Sequence, residues 1–513
     1  MTQPESPSPA TLRLAAGDEV AVALRDLAPG DALAPQSGYA AEAVPFGHKV
    51  ALRDLPAGAV VHRLGQPIGV ARQPIAAGAH VHTHNLGFEA SMAGRAIGTR
   101  LSNAARLPDA AVPTFDGYRR PDGRVGTRNH VGILTSVNCS ALVARMIAEH
   151  FRDPARMAPY PGVDGVVALT HKSGCSIAEG GRSMGMLRRT LGGYARHPNF
   201  CGVLLVGLGC EDNQIEGLMA DEGLAAGPLL RTLVMQEAGG TRASIAAGIR
   251  LVEEMLEAAA ACRREPVPAG ALVVGLQCGG SDSFSGISAN PALGVAVDRL
   301  VACGGTAILS ETPEIYGAEN LLLERAADKS VGERLIGLLE WWERHTEHEP
   351  AGLDNNPSPG NKAGGLTTIL EKSLGAVAKG GGSNLAAVYG YGETVTARGL
   401  VFMDSPGFDP ISATGQVAGG ATLVAFTTGR GSCFGCRPAP SLKLATNTAM
   451  FRRMEEDMDV NCGRVLDGTA TLDEMGAEIF AAMLATASGR PTKSELLGYG
   501  EDEFSPWHVN AWL

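Results

Sequence analysis

Four cysteines of this 513-residue chain follow short apolar runs and sit in glycine-containing or polar loops. They are Cys139 in Thr135-Ser-Val-Asn-Cys139, Cys175 in His171-Lys-Ser-Gly-Cys175, Cys210 in Gly207-Leu-Gly-Cys210-Glu211 and Cys278 in Gly275-Leu-Gln-Cys278-Gly-Gly-Ser-Asp282. Glycine allows close backbone approach, and a thiolate is a strong ligand for iron or zinc. Converging on one rim, these thiols would suit a cluster or an Fe(II) site. A free cysteine is also a common small buried residue. Cys201, Cys262, Cys303 and Cys462 lack the loop context and are read that way. Cys433 and Cys436 form a C-x-x-C without the second pair that would specify zinc.

Imidazoles form a second group. His80, His82 and His84 alternate in His80-Val-His-Thr-His-Asn85, and His48 stands in Gly47-His48-Lys49. Alternate residues of a strand share a face about 7 Å apart, close enough for two to share Fe, Mn or Zn if the strand end bends. A solvated polar edge, or a substrate contact for His48 or His82, are the other readings. Two polar, glycine-dense segments, Gly279–Pro291 and Asn355–Gly365, offer backbone amides and hydroxyls to carboxylates. Arg430 follows an apolar run where a bidentate clamp on a carboxylate would fit.

These residues need elements to hold them. Val131–Thr135, Gly165–Thr170, Val203–Gly207, Leu272–Gly275 and Thr306–Ser310 read as strands buried on both faces. Helical stretches at Leu142–Phe151, Thr241–Arg263 and Ala292–Ala302 alternate with them. That alternation predicts an α/β multidomain chain with largely parallel sheets, whose ligands lie beyond the carboxyl ends of the strands. Further strands at Gly399–Phe402 and Ala421–Phe426 and a helix near Leu472–Ser488 predict a second α/β lobe. Upstream, Val22-Ala-Leu-Arg-Asp-Leu27 is echoed by Val50-Ala-Leu-Arg-Asp-Leu55, and weakly by Ile75-Ala-Ala-Gly78. Short apolar runs cut by Pro/Gly turns predict a small all-β module. The expected division is 12–86 for the module, 87–114 for a linker, 115–375 for a catalytic α/β domain and 376–513 for a C-terminal α/β domain.

Composition excludes several classes. A net charge of -11 argues against a general nucleic-acid surface. No apolar run reaches the ~18–20 residues that span a bilayer, and Met1–Ala15 shows no secretory pattern, so a cytoplasmic, membrane-free protein is expected. Neither a dinucleotide G-x-G-x-x-G after the first strand nor a G-x-x-x-x-G-K-S/T loop is present, which demotes nucleotide-dependent chemistry.

Taken together, Gly47-His-Lys-Val-Ala-Leu52, Tyr118-Arg-Arg with Gly126-Thr-Arg-Asn129, Gly207-Leu-Gly-Cys-Glu211, Cys278-Gly-Gly-Ser-Asp282, Asn290-Pro291, Asn356-Pro-Ser-Pro-Gly-Asn-Lys362 and Thr428-Gly-Arg-Gly431 resemble the altronate and galactarate dehydratases over nearly the whole chain. The resemblance implies that the N-terminal module is of the SAF, or β-clip, type. It implies removal of water from an aldonic or aldaric acid to give a 2-keto-3-deoxy acid, with dependence on iron; Fe2+ is the expected cofactor, with Mn2+ or, from the cysteine loops, an iron–sulfur cluster as the alternatives. His80–Asn85 and Asn361–Gly365 look closer to the altronate type, whereas Ser432-Cys-Phe-Gly-Cys436 stands where both types usually show Thr-Pro-Tyr-Gly. The related sulfolactate sulfo-lyases share the core and expel sulfite instead.

Such a reaction takes a weakly acidic C2 proton and expels the C3 hydroxyl, so it needs a base, a Lewis acid and a carboxylate anchor. The expected assignment is His171, Glu211 and Lys362 as base candidates and Cys175, Cys210, Cys278, His82 and His84 as metal ligands. His48, Arg128, Ser281, Asp282, Asn290, Asn361 and Arg430 are expected to face the sugar acid. An NAD-linked oxidoreductase and an iron or redox sensor are the rival classes, and assembly into a homo-oligomer is left open.

Overall fold

A computed structural model describes residues 9–33, 38–89, 95–102, 105–349 and 352–509. The expected signal-free N-terminus and the 87–114 connection fall partly outside them, at residues 1–8, 90–94 and 103–104.

Short segments closed by Pro/Gly turns cannot form long strands, and the N-terminal module is accordingly built from two small antiparallel sheets. One has the order β1-β2-β3-β6, from Thr11–Leu12, Val20–Ala23, Lys49–Ala51 and His80–Val81. The other has the order β4-β5-β7, from Val60–Arg63, Gln66–Ala71 and Leu86–Gly87. A three-stranded antiparallel strap follows, in which β8 (Thr114–Arg119) pairs with β9 (Val125–Gly126) and, on its other side, with β14 (Glu265–Pro268).

The β-branched runs form two all-parallel sheets. The first has four strands, β11-β10-β12-β13: Gly165–Leu169, His130–Thr135, Phe200–Gly207 and Leu230–Val234. The second has seven, in the order β17-β18-β16-β15-β19-β20-β21. These are β15 (Val273–Cys278), β16 (Thr306–Leu309), β17 (Leu385–Tyr389), β18 (Gly399–Met403), β19 (Leu423–Thr428), β20 (Ser441–Ala445) and β21 (Val460–Asn461). The α/β multidomain architecture is as the alternation predicted. The border at 375 is corrected, because β15 and β16 on one side of it hydrogen-bond into the same sheet as β17 to β21 on the other. A sheet shares its ladder and its core, so a boundary cannot run through it.

Apolar packing joins the parts. Val61, Ile68 and Leu86 of the module belong to one buried cluster with Val274, Leu276, Leu293 and Leu309 of the seven-stranded sheet and its helix Ala289–Ala302. Leu134 and Leu205 of the four-stranded sheet and Leu191 of the helix Arg182–Ala195 pack with Val417, Phe426 and Phe504. The chain reverses its direction of sheet building at β15: β16 lies on one side of it and β19 on the other. Such a switch point opens a crevice beyond the carboxyl ends of the strands. No helix among the described residues is long and apolar enough to cross a membrane.

Candidate functional site

Two clusters flank the short helix Pro359–Ala363, which closes on a reciprocal cap between Ser358 and Asn361. The first lies on the module. Strand β6 ends at Val81, and the chain turns so that the amides of Asn85 and Leu86 both donate to the His82 carbonyl. The turn breaks the alternation that would have lined up three histidines. It stacks His80 on His82 at 5.4 Å between ring centroids and leaves His84 exposed. His48, just before β3, brings Nδ1 to 3.0 Å from His80 Nε2 and its ring to 4.6 Å from His82. His48, His80 and His82 place one nitrogen each within 4.8 Å of one another. On the far side, His48 Nε2 stands 3.3 Å from the Ala363 carbonyl.

Burial pushes all three imidazoles below their ordinary range, His80 to about 4 and His82 to about 3, with the neighbouring cations and imidazoles adding to it. His82 Nδ1 is buried with no hydrogen-bond partner. Three neutral imidazoles with a spare buried lone pair are the donor set that borderline divalent metals such as Fe(II), Mn(II) or Zn(II) take, so the residues fit the implied metal.

The module is held over this helix by a buried ion triad. Lys49 Nζ donates to Glu371 Oε2 at 2.9 Å and to the Gly365 carbonyl at 2.6 Å, and Arg63 donates to the other oxygen of Glu371. Burial works against the Glu371 anion, yet Lys49 and Arg63 hold its carboxyl at about 2. Gly365 has a φ of +94°, and a Cβ there would run into the Gly47 carbonyl, so the two loops meet only because glycine occupies that position.

The second cluster lies in the switch-point crevice, a basin of about 400 Å³ lined by Cys278, Gly280, Glu314, Asn356, Asn361, Lys372 and Asp409 among others. Lys372 Nζ donates to Glu314 Oε1 and to Asn356 Oδ1, each at 2.6 Å. Burial opposes the charge on both, but their pairing keeps Glu314 below and Lys372 above the ordinary range. Cys278 Sγ accepts from Lys379 Nζ at 2.9 Å, and burial drives this thiol up to about 12. Glu311, at the end of β16, holds a left-handed φ of +74°. Neither of its carboxylate oxygens has a hydrogen-bond partner among the described residues, and burial with the neighbouring Glu314 pushes its pKa far up. Asp409, on the first turn of the helix Asp409–Ala418, is raised to about 7 by burial and by Glu314.

The expected site residues divide accordingly. His48, Asn361 and His82 are brought together around the short helix, with Lys362 half-buried on it. Arg430 is exposed on the loop after β19, its amide donating to the Gly280 carbonyl at 2.9 Å, so it stands on the rim of the basin. The Ser281 carbonyl accepts from Asn361 Nδ2. Cys278 is buried beside Glu311 and Glu314 and makes no close group with Cys175 and Cys210, which are exposed on the other sheet. The expectation of one cysteine rim is corrected: the strands carrying these loops belong to two sheets. His84 lies outside the three-nitrogen group, exposed with its ring 5.4 Å from His80.

Other assignments are replaced by structural roles. Arg128 makes a two-toothed pair with Glu495 and donates to the carbonyls of Thr486 and Arg490. Asp282 is saturated by Phe284, Ser285, Thr446 and Asn447, and Asn290 bridges Gly375 and Thr427. His171 uses both nitrogens, on the Thr135 carbonyl and the Ser173 amide, and its pKa falls to about 4 on burial. Glu211 accepts from Ser136 and from the amides of Leu208 and Gly209. His171 thus has both ring nitrogens occupied, and Glu211 is tied into its loop by three donors. Glu311, Glu314, Lys372, Lys379 and Asp409 were not singled out from sequence. Their signal was the carboxyl-end rule itself, applied to strands that end without a cysteine, as β16 does in Ser310-Glu311-Thr312-Pro313-Glu314.

A further cavity of about 340 Å³ lies at Val273, Thr306 and Thr422, the amino ends of the same strands. It lies at the opposite ends of those strands from Cys278 and the crevice.

Comparison with known proteins covers the chain in three parts. Residues 9–89 match the altronate/galactarate dehydratase SAF domain, residues 117–260 the D-galactarate dehydratase/altronate hydrolase second domain, and residues 269–511 the D-galactarate/altronate dehydratase C-terminal domain. The altronate dehydratase of Bacillus subtilis (strain 168) is 36% identical over 488 residues, 93% of this chain and 95% of that protein. The galactarate dehydratase (L-threo-forming) of Escherichia coli (strain K12) is 37% identical over 455 residues, 88% and 87% respectively. The beta subunit of the (2R)-sulfolactate sulfo-lyase of Chromohalobacter salexigens is 34% identical over 393 residues, 76% of this chain and 96% of that protein.

Proposed function

Because the chain belongs to the altronate/galactarate dehydratase family, we propose that it is a sugar-acid hydro-lyase, with D-altronate or a related aldonate as substrate and a 2-keto-3-deoxy acid as product. The observation that carries this reading is the meeting of three unprotonated imidazoles with the Asn361–Lys362 helix beside a crevice of buried acid–base groups.

His48, His80 and His82 would hold a divalent metal such as Fe2+ or Mn2+, which when bound would supply Lewis-acid chemistry. Arg430 and Lys362 anchor the carboxylate with charges that form no salt bridge among the described residues. Asp409, poised near pH 7, takes the C2 proton as a carboxylate and returns a proton to the departing C3 hydroxyl, which leaves as water. The electron pair of the C2–H bond becomes the C2=C3 double bond, and the enol ketonises. Glu314 and Asn356 hold Lys372 charged in the crevice, where it opposes negative charge building on the substrate.

The test is anaerobic purification, metal analysis and an assay for 2-keto-3-deoxy acid across aldonates, aldarates and sulfolactate. An aldonate is expected to turn over fastest. Product from galactarate alone would move the assignment to aldarates, sulfite release would move it to sulfo-lyases, and iron bound with no product from any acid would overturn it.

A further inference from the structure

The carboxyl edge of the four-stranded sheet carries three thiols on three neighbouring strands. Cys139 follows β10, Cys175 follows β11 and Cys210 follows β12, in the strand order β11-β10-β12. All three are free and exposed. Their loops are stitched to one another: the Asn138 amide donates to the Ser173 carbonyl at 2.9 Å, and the Asn213 amide to the Gly174 carbonyl at 3.0 Å. Asn213 Nδ2 donates to the Ser136 carbonyl at 3.0 Å, and the Ser176 amide to Asp212 Oδ2 at 2.5 Å.

Buried polar groups of this edge serve that arrangement. Glu211 ties Ser136 to the Leu208–Gly209 turn, His171 bridges Thr135 and Ser173, and Arg188 fixes Asn213. The backbone beside the thiols takes left-handed φ values, one of them at a non-glycine residue. Gly174 and Gly209, each immediately before a cysteine, have φ of +103° and +123°, and Ser176, immediately after one, has φ of +58°. A Cβ at Gly174 would run into the Ser136 carbonyl. Strained backbone persists only where its surroundings over-determine it, and it gathers at ligand-holding sites.

We propose that Cys139, Cys175 and Cys210 bind an iron–sulfur cluster through three thiolates, leaving one iron without a protein ligand. The three sulfurs are not drawn within 4.8 Å of one another, as the nitrogens of His48, His80 and His82 are. An iron–sulfide core can itself bridge thiolates that stand further apart than the ligands of a single ion. Gln236 Nε2 lies 3.3 Å from Cys210 Sγ, a hydrogen bond to sulfur of the kind that tunes clusters. Cys278 is no fourth ligand, being buried against Lys379 in the other sheet.

The site is distinct from the histidine cluster, and its test reads iron and sulfide, not turnover, so it stands or falls apart from the dehydratase reading. The full chain is purified anaerobically, reconstituted with ferrous iron and sulfide, and analysed for acid-labile sulfide and visible absorbance. Labile sulfide is expected in the wild type and in C262S, and is expected to be lost in C139S, C175S and C210S. No labile sulfide in the reconstituted wild type, or full retention in all three variants, overturns the proposal. Thiol alkylation of the wild type with peptide mapping gives a second readout. Reconstitution is expected to protect Cys139, Cys175 and Cys210 together, and labelling of all three unchanged by reconstitution overturns it.

Discussion

A single turn decides which histidines act together. Because the backbone folds back at His82, the nitrogens that come within 4.8 Å of one another are those of His48, His80 and His82, while His84 stays exposed with its ring 5.4 Å from His80. H82A is therefore expected to lose bound divalent metal and activity together, and H84A to keep both, as metal content per chain and turnover will show. Asp409 supports a second residue-level prediction. Its folded pKa of about 7 lies above its ordinary value of 3.8, so the native state binds a proton more tightly than the unfolded one. Stability from this group is greatest below about pH 4 and is lost as pH rises through 7. D409N is expected to gain stability over the wild type between pH 4 and 8, and to lose both activity and the limb of the pH–rate profile near 7. Thermal unfolding at several pH values and rate profiles check the two halves separately.

At the scale of elements, the module is fastened by one carboxylate shared between two buried cations. E371Q leaves Lys49 and Arg63 charged in a dry interface, and breaking such a pair costs about 3–5 kcal/mol. Denaturant titration will measure that loss, and protease sensitivity of the module will show where it falls. With the Glu371 pKa depressed to about 2, its contribution is fully present above the unfolded value of 4.5 and drains away as pH falls through 2, so docking is expected to persist into acid. Much at this scale was legible beforehand. Apolar β-branched runs such as Val131–Thr135 and Val203–Gly207 lie in strands because nothing but burial in a parallel sheet suits them. The helix Leu472–Ala487 likewise follows its pattern. What was not legible is which sheet each strand joins. Cys210 and Cys278 occupy equivalent loops in sequence, yet long-range pairing sends β12 and β15 to different sheets, and no local signal encodes that.

For the whole molecule, the same lesson applies to function: residue types such as His82, Asn361 and Arg430 were readable, whereas Glu311 and Asp409 gain their character only from burial among one another. The shared apolar cluster of module and seven-stranded sheet predicts cooperative unfolding. Loss of module protection from proteolysis and the fluorescence change of Trp341, Trp342 and Trp507 are expected at one denaturant midpoint. Separate midpoints would mean that the two parts are stable alone. The contact between His48 and Ala363 spans 315 residues of sequence and has a consequence in time. On a ribosome adding ~5–20 residues per second, the histidines emerge first and wait roughly 15–60 s for the helix that will face them. For that interval the three imidazoles exist without the helix that they meet in the finished chain.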